Sequence, residues 1–180
     1  MTEKQLEELI SKAKDAGYSC AVIDTQQIPF NFEFRKYCEE NRCGCYDSNC
    51  SCPPACGTPQ QMSERVLSKR NALVLMSESP INGYSDTEAI SAAKKRHNDR
   101  QRELVRILEN SGVSAFCAGA SHCDICEECE GLSGRPCKFP KDRFSCLSAY
   151  CVDVAKLAEL AGLRFEWNEH RLYNFGMILF

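Results

Sequence analysis

The pattern of apolar and polar positions predicts a chain that alternates helices and strands. Four apolar residues recur at helical spacing near the N-terminus: Leu6, Leu9, Ile10 and Ala13. Thr2 and Gln5 form a capping-box pattern before them, and Gly17 suits the end of this helix. The apolar run inside Ser19 to Asp24 then predicts a short buried strand, in which Cys20 is a small core residue.

The middle of the chain has equally clear boundaries. Thr58 and Pro59 are an N-cap and a proline at the first helical position, so a helix is expected to run to about Arg70. Five consecutive apolar residues within 71–77 predict a strand covered on both faces. Ser85 with Glu88 predicts the start of a long helix that reaches about Asn110.

The last third of the chain adds more strands and one helix. The pattern predicts a strand over 113–117, a helix over 147–161, a half-buried strand over 163–167 and a final strand over 172–180. Cys146 and Cys151 would then lie at the start of that helix, where the helix dipole lowers a thiol pKa. The element order predicts a single α/β domain over residues 1–180, with a mixed sheet flanked by helices.

Composition narrows the class of protein. The chain has 180 residues, of which 14 are cysteine, and a net charge of −3 with mixed signs throughout. Nothing in this charge pattern indicates a nucleic-acid surface, and no apolar run approaches the roughly 18 residues of a membrane span. The polar N-terminus does not resemble an export signal, so we expect a cytoplasmic protein whose cysteines serve metal or redox chemistry.

The cysteines cluster in two loops, at about 38–56 and 117–151. In the second loop, cysteines at steps of three can turn their sulfurs toward one point, and a further cysteine follows three residues before Pro140. This pattern is typical of [4Fe–4S] binding, whereas structural zinc more often uses two separated Cys-x2-Cys pairs. The predicted ligands of this second cluster are Cys123, Cys126, Cys129 and Cys137.

The first loop is rich in residues that favour turns, and metal bonds would order it. Its predicted cluster has Cys38, Cys43 and Cys52 as ligands, with either Cys56 or Cys146 as the fourth. In two-cluster ferredoxins the cysteine before proline ligates the other cluster, so Cys137 and a first-loop cysteine could exchange. His122 adjoins Cys123 and is a possible ligand or hydrogen-bond donor, although four cysteines suffice without it.

Both loops resemble those of a family of prokaryotic cysteine-rich proteins described only as predicted metal-binding and common in anaerobes. The first family motif has a cysteine, a tyrosine three residues on and Cys-Pro-Pro nine residues on, as at Cys43, Tyr46 and 52–54. Cys38 matches an earlier family cysteine at a spacing one residue longer than usual. The second motif matches at several positions: Gly119, Cys123, Cys126, Cys129, Cys137, Pro140, Ala149-Tyr150 and Asp153-Val154.

The resemblance covers about residues 34–154 and implies metal binding without implying a reaction. Three positions depart from the family pattern: Cys50 replaces an aromatic residue, Cys146 a serine and Cys151 a glycine. These extra thiols imply that this member binds more metal than its relatives, or a different and larger iron–sulfur cluster.

Three functions fit these observations. The first is an electron-transfer protein with two [4Fe–4S] clusters, whose partner is a ferredoxin, a flavodoxin or a larger oxidoreductase. The second is an enzyme with an open or unusual cluster that acts on a small substrate, for example one that contains sulfur, and for which Cys45, Cys50 and Cys151 are spare thiols. The third is a structural module that holds zinc. The basic run at 94–97 is either a solvated helix face or a docking patch for an acidic electron carrier.

Overall fold

The computed structural model describes all residues from Met1 to Phe180 and contains five helices and four strands. The helices are α1 (Glu3–Asp15), α2 (Arg35–Glu39), α3 (Pro59–Leu67), α4 (Thr87–Asn110) and α5 (Val154–Leu160). The strands are β1 (Ser19–Asp24), β2 (Asn71–Pro80), β3 (Phe116–Ala118) and β4 (Arg171–Leu179). None of the five helices has the length and apolar character needed to cross a membrane.

The four strands form one sheet in the order β1-β2-β4-β3, and each neighbouring pair is antiparallel. The predicted α/β domain is confirmed, but its sheet is antiparallel rather than mixed. A mixed sheet was expected because helices alternate with strands, yet long irregular connections leave strand direction free. The parallel pairing that does occur is an isolated bridge between Gly119 and Cys146, beyond the end of β3.

The sheet has a core on both faces, as predicted for the apolar run in β2. Leu73 and Leu75 face α1 and α4, in a cluster of 11 buried residues. Val74 faces the opposite side, in a cluster of 17 buried residues to which α3, α5 and the turn at 147–152 contribute. Each fully buried leucine or valine stabilises the fold by roughly 1.5–3 kcal/mol, so β2 anchors both layers.

The helix starts follow the capping residues in the sequence. Thr2 and Thr58 both make complete capping boxes, with Gln5 and Gln61 respectively, so the predicted starts of α1 and α3 are confirmed. Helix α4 begins slightly later than predicted, because the Asp86 carboxylate, rather than the Ser85 hydroxyl, accepts a hydrogen bond from the Ala89 N–H. A carboxylate at this position also interacts favourably with the helix dipole.

Three predicted elements of the last third are wrong or shortened. Strand β3 covers only Phe116–Ala118, whereas a strand over 113–117 was expected. Helix α5 begins only at Val154, after an Asp153 cap, and the preceding residues form turns in which Cys151 has a positive φ of 57°. Residues 163–167 do not form a strand. Their alternating aromatic side chains instead pack against one another, with the Phe165 ring 6.2 Å from Trp167 and 5.8 Å from Phe175.

The two cysteine-rich loops are tied together at one side of the sheet. The Arg35 side chain is buried and donates hydrogen bonds to the carbonyl of Gly57 in the first segment (2.9 Å) and to that of Ala149 in the second (2.8 Å). The backbone N–H of Asn31 also donates to the Cys151 carbonyl at 2.7 Å. These contacts fix the position of the first loop relative to the second.

Candidate metal centre

A first cavity, of about 610 Å³, lies between the first loop and helix α4. Five cysteines line it: Cys38, Cys43, Cys45, Cys52 and Cys146. The cavity wall also includes Lys94 and Lys95 of α4 and His122 of the second loop. The cavity therefore combines thiols from both loops with positive charge from a helix.

A second cavity, of about 430 Å³, lies between the two loops. Six cysteines line it: Cys45, Cys50, Cys123, Cys126, Cys129 and Cys137. The guanidinium of Arg143 enters the same cavity and donates a hydrogen bond to the Cys50 sulfur at 3.3 Å. This cavity is therefore also rich in sulfur and carries a cation beside it.

The two cavities adjoin each other. Cys45, His122 and Asp124 line both of them. The Cys45 sulfur lies 3.2 Å from Nδ1 of His122, which joins the first loop to the second at this point. Groups bound in the two cavities would consequently be neighbours.

Turns in the first loop orient its thiols. Asn41 and Asp47 adopt positive φ angles of 52° and 53°, a conformation in which asparagine and aspartate are tolerated. The Asn49 carboxamide accepts a hydrogen bond from the Ser51 N–H and donates one to the Cys52 sulfur at 3.4 Å. The loop residues thus fold back on themselves and hold Cys52 in a buried position.

The second loop depends on two glycines at close contacts. A Cβ atom at Gly119 would lie 2.1 Å from the Phe144 ring, so a residue with a side chain would clash at this position. A Cβ at Gly131 would lie 2.9 Å from the Cys50 Cβ and 3.1 Å from its sulfur. The second glycine lets the two loops approach where the Cys129 and Cys50 sulfurs stand 3.5 Å apart.

All fourteen cysteines are free thiols in this structure. A disulfide framework, the other use that cysteines in such numbers could serve, is therefore not the arrangement found here. The side chains also do not gather three or more His, Cys, Asp or Glu groups into a site for a single metal ion. Their sulfurs are instead distributed around the two cavities.

A family model described as "Predicted metal-binding protein (DUF2284)" matches residues 21–180. The chain belongs to this metal-binding family. The match includes both cavities and all four strands except the first two residues of β1, so the resemblance expected from the cysteine motifs is confirmed. Searches of curated proteins and of solved structures found no match.

Eight of the nine predicted ligands line one or other of the two cavities. The four predicted for the second cluster all line the second cavity, namely Cys123, Cys126, Cys129 and Cys137. The first cavity contains Cys38, Cys43 and Cys52, together with Cys146 from the second loop. Cys56 lines neither cavity, because it packs against the core and its sulfur points toward the Gly57 carbonyl.

Three residues that matter in the second cavity were not among the predicted ligands. Cys50 belongs to the first loop in sequence but contacts Cys129, and Arg143 contacts Cys50. Cys45 adjoins both cavities. The available signal was the departure of Cys50 from the family pattern, whereas Arg143 lies in no motif that would have indicated its role.

The protein environment makes the thiols chemically unequal. Burial raises the pKa of Cys38 to about 11 and that of Cys52 to about 12. Burial also raises the pKa of Cys146, contrary to the lowering expected from a helix N-terminus, because this residue lies well before α5. Metal binding at the first cavity must therefore displace protons from its thiols.

The pKa of Cys129 shifts in the opposite direction. Burial by itself raises its pKa, but N–H groups of Cys50, Gly131 and Leu132 directed at the sulfur outweigh this effect and leave the pKa below its ordinary value. The thiolate of Cys129 is consequently the form that this loop favours.

The donor set fits a thiophilic metal or cluster. Thiolate ligands select zinc, Cu(I) and iron–sulfur clusters over hard cations such as calcium and magnesium. Each cavity offers at least four cysteines, and hydrogen-bond donors reach sulfur atoms in each, Asn49 at Cys52 and Arg143 at Cys50. Such outer contacts are a usual part of protein metal sites.

Proposed function

We propose that this metal-binding protein carries two [4Fe–4S] clusters, one in each cavity, and passes single electrons between partner proteins. The observation that supports the proposal is the way the cysteine thiols divide between the two cavities. The Cys-x2-Cys-x2-Cys triplet and Cys137 line one cavity, while the other is lined by Cys38, Cys43, Cys52 and Cys146. This division supports two four-cysteine sites rather than one shared set.

The proposed ligands follow from the cavities. Cys38, Cys43, Cys52 and Cys146 would hold the first cluster, and the second would be held by four second-loop residues: Cys123, Cys126, Cys129 and Cys137. When bound, a [4Fe–4S] cluster supplies reversible one-electron chemistry.

The chain's own polar groups would adjust the two centres. Arg143 places a positive charge and an N–H beside sulfur in the second cavity, whereas Asn49 offers a neutral amide to Cys52 in the first. Positive charge and hydrogen bonds at sulfur favour the reduced state and raise the reduction potential. Since Lys94 borders the first cavity as Arg143 borders the second, we expect a cationic side chain to raise the reduction potential of each centre.

The proposed partner is an acidic electron carrier such as a ferredoxin or flavodoxin. Lys94 borders the first cavity and Arg96 near it is exposed. Neither pairs with a carboxylate, whereas Lys95 pairs with Asp99 at 2.8 Å. A cluster of positive charge next to a redox centre speeds association with an acidic protein by electrostatic steering.

Two variants test the cluster assignment on protein purified without oxygen. Cys126→Ser should remove about half the iron, since it destroys one of two equal clusters. Cys20→Ser is the matched control, because Cys20 lies on β1 away from both cavities, and should leave the iron content unchanged. Full iron in Cys126→Ser would contradict the assignment of the second site.

Electron transfer is tested with the same material. Chemically reduced protein, mixed with an oxidised ferredoxin or flavodoxin, should lose its cluster EPR signal while the carrier becomes reduced. The rate should fall as the salt concentration rises, because exposed charges are screened. Clusters that cycle with dithionite but exchange no electrons with either carrier would instead favour the enzyme function.

A further inference from the structure

A third cavity, of about 380 Å³, lies beside the first thiol cavity but contains no cysteine. It is bounded by strand β4, the turn after β3 and the irregular segment around Trp167. Tyr84, Lys94 and Ser148 line both this cavity and the first thiol cavity, so the two spaces share a wall. We call it the aromatic cavity.

Its wall is built from aromatic rings. The Trp167 ring lies 6.0 Å from Tyr84 and 6.2 Å from Phe165, and Phe165 in turn contacts Phe175. Trp167 is nevertheless 83% exposed, the highest exposure of any large apolar residue in the chain. An exposed indole at the edge of a cavity provides a surface on which a planar ring can stack.

One buried donor in this cavity has no acceptor. Asn174 is only 3% exposed, it lines the aromatic cavity, and its side-chain Nδ2 makes no hydrogen bond within the protein. Leaving a buried amide N–H unpaired costs roughly 1–3 kcal/mol. A ligand with a hydrogen-bond acceptor would remove this cost.

The cavity also contains one cation without a carboxylate partner. Arg171 pairs with Glu78, and Glu166 pairs with Arg164, so their charges are compensated. Lys94 is half-buried, lines the cavity and makes no salt bridge. A negatively charged ligand would therefore be favoured over a neutral one.

We propose that the aromatic cavity binds a small planar aromatic carboxylate. The ring would stack against Trp167, the carboxylate would pair with Lys94, and an acceptor atom of the ligand would take the Asn174 N–H. None of these three residues is a proposed cluster ligand, so the inference goes beyond the electron-transfer function and does not depend on it. A ligand here would lie next to the first thiol cavity, as a substrate of a redox centre would.

Calorimetric titration of the anaerobically purified protein tests this inference. The probes are three one- or two-ring aromatic acids, benzoate, nicotinate and 2-naphthoate, with 2-naphthylmethanol as the uncharged control. We expect at least one acid to bind with one-to-one stoichiometry and the alcohol to bind at least tenfold more weakly. Absence of binding by all three acids up to millimolar concentration would overturn the proposal.

Variants identify where binding occurs. Lys94→Met and Trp167→Ala should each weaken binding of the acid by roughly tenfold, the equivalent of about 1.4 kcal/mol. Arg96→Met is the control, because it removes the same charge from the same helix at an exposed residue outside the cavity. Equal affinity in the wild type, Lys94→Met and Trp167→Ala would show that the acid binds elsewhere, and would overturn the assignment.

Asn174→Leu separates a ligand-binding role from a structural one. If the amide N–H of Asn174 binds the ligand, this variant should have a lower affinity for the acid. Its thermal unfolding temperature should stay at or above that of the wild type, because an unpaired buried polar group is removed. A lowered unfolding temperature with unchanged affinity would assign Asn174 to the fold and overturn its proposed role.

The result of the acid-binding test is independent of the result of the iron analysis. Acid binding in a protein without iron would remove the cluster function and leave the aromatic site intact. Full iron content without acid binding would support the cluster function and overturn the aromatic site.

Discussion

At the scale of single residues, the choice between Cys56 and Cys146 decides the composition of the first site. The sequence left both open, because each lies near other cysteines and neither has a distinctive spacing. In the structure Cys146 lines the first cavity while Cys56 packs against the core. The difference comes from the tertiary arrangement, since Cys146 reaches the cavity through its bridge to Gly119.

The corresponding prediction compares the two serine variants. Cys146→Ser should lower the iron content by about half by removing one ligand of the first cluster. Cys56→Ser should keep the full iron content, although it removes a sulfur that packs at the same end of the molecule. Iron analysis of both proteins, with EPR of the remaining cluster, provides the measurement. The reverse order of iron loss would exchange the roles of the two residues.

Cys50 shows why some site residues could not be predicted from the sequence. It lies among first-loop cysteines, but its sulfur contacts that of Cys129 at 3.5 Å, and its N–H also points at the Cys129 sulfur at 3.4 Å. Residues so far apart along the chain are brought together only by the packing of the loops. Gly131, which makes room for Cys50, belongs to none of the motifs found in the sequence.

At the scale of elements, local signals predicted the boundaries well where capping residues determine them. β1 has the predicted range, and α1 and α3 start at the predicted caps. The predictions failed where tertiary packing replaces local preference. The alternation of Leu163, Phe165 and Trp167 suggested a strand, but aromatic stacking uses these side chains without a β-ladder.

The short helix α2 connects the two loops through the side chain of Arg35. Arg35→Gln should lower the free energy of unfolding of the metal-free protein by about 2–3 kcal/mol, because its hydrogen bonds to the Gly57 and Ala149 carbonyls come from a buried charged donor. Urea unfolding followed by circular dichroism in reducing buffer provides the measurement.

Lys36→Gln is the control for this effect. Lys36 is on the same helix, but it is exposed and pairs only with Glu33, so its loss should leave the free energy of unfolding within experimental error of the wild-type value. Equal destabilisation by the two variants would mean that Arg35 does not connect the loops in the way described here.

At the scale of the whole molecule, the fold brings together two cysteine groups that are distant in the sequence. The antiparallel sheet, with β4 between β2 and β3, provides a core on both faces. The loops before α3 and after β3 extend from the same side of this core and meet at Cys45 and His122. The sequence indicated that the two cysteine groups lie close together in the fold. The order and direction of the strands could not be predicted, because they depend on tertiary packing and not on local sequence patterns.

The central claim is that two iron–sulfur clusters occupy the two thiol-lined cavities. The measurement that tests it most directly is the amount of iron and acid-labile sulfide per chain, with an EPR spectrum, on protein that has never been exposed to air. The account predicts about eight iron and eight sulfide per chain and, after reduction, signals of two interacting [4Fe–4S] clusters. A colourless protein that contains zinc but neither iron nor sulfide would contradict it.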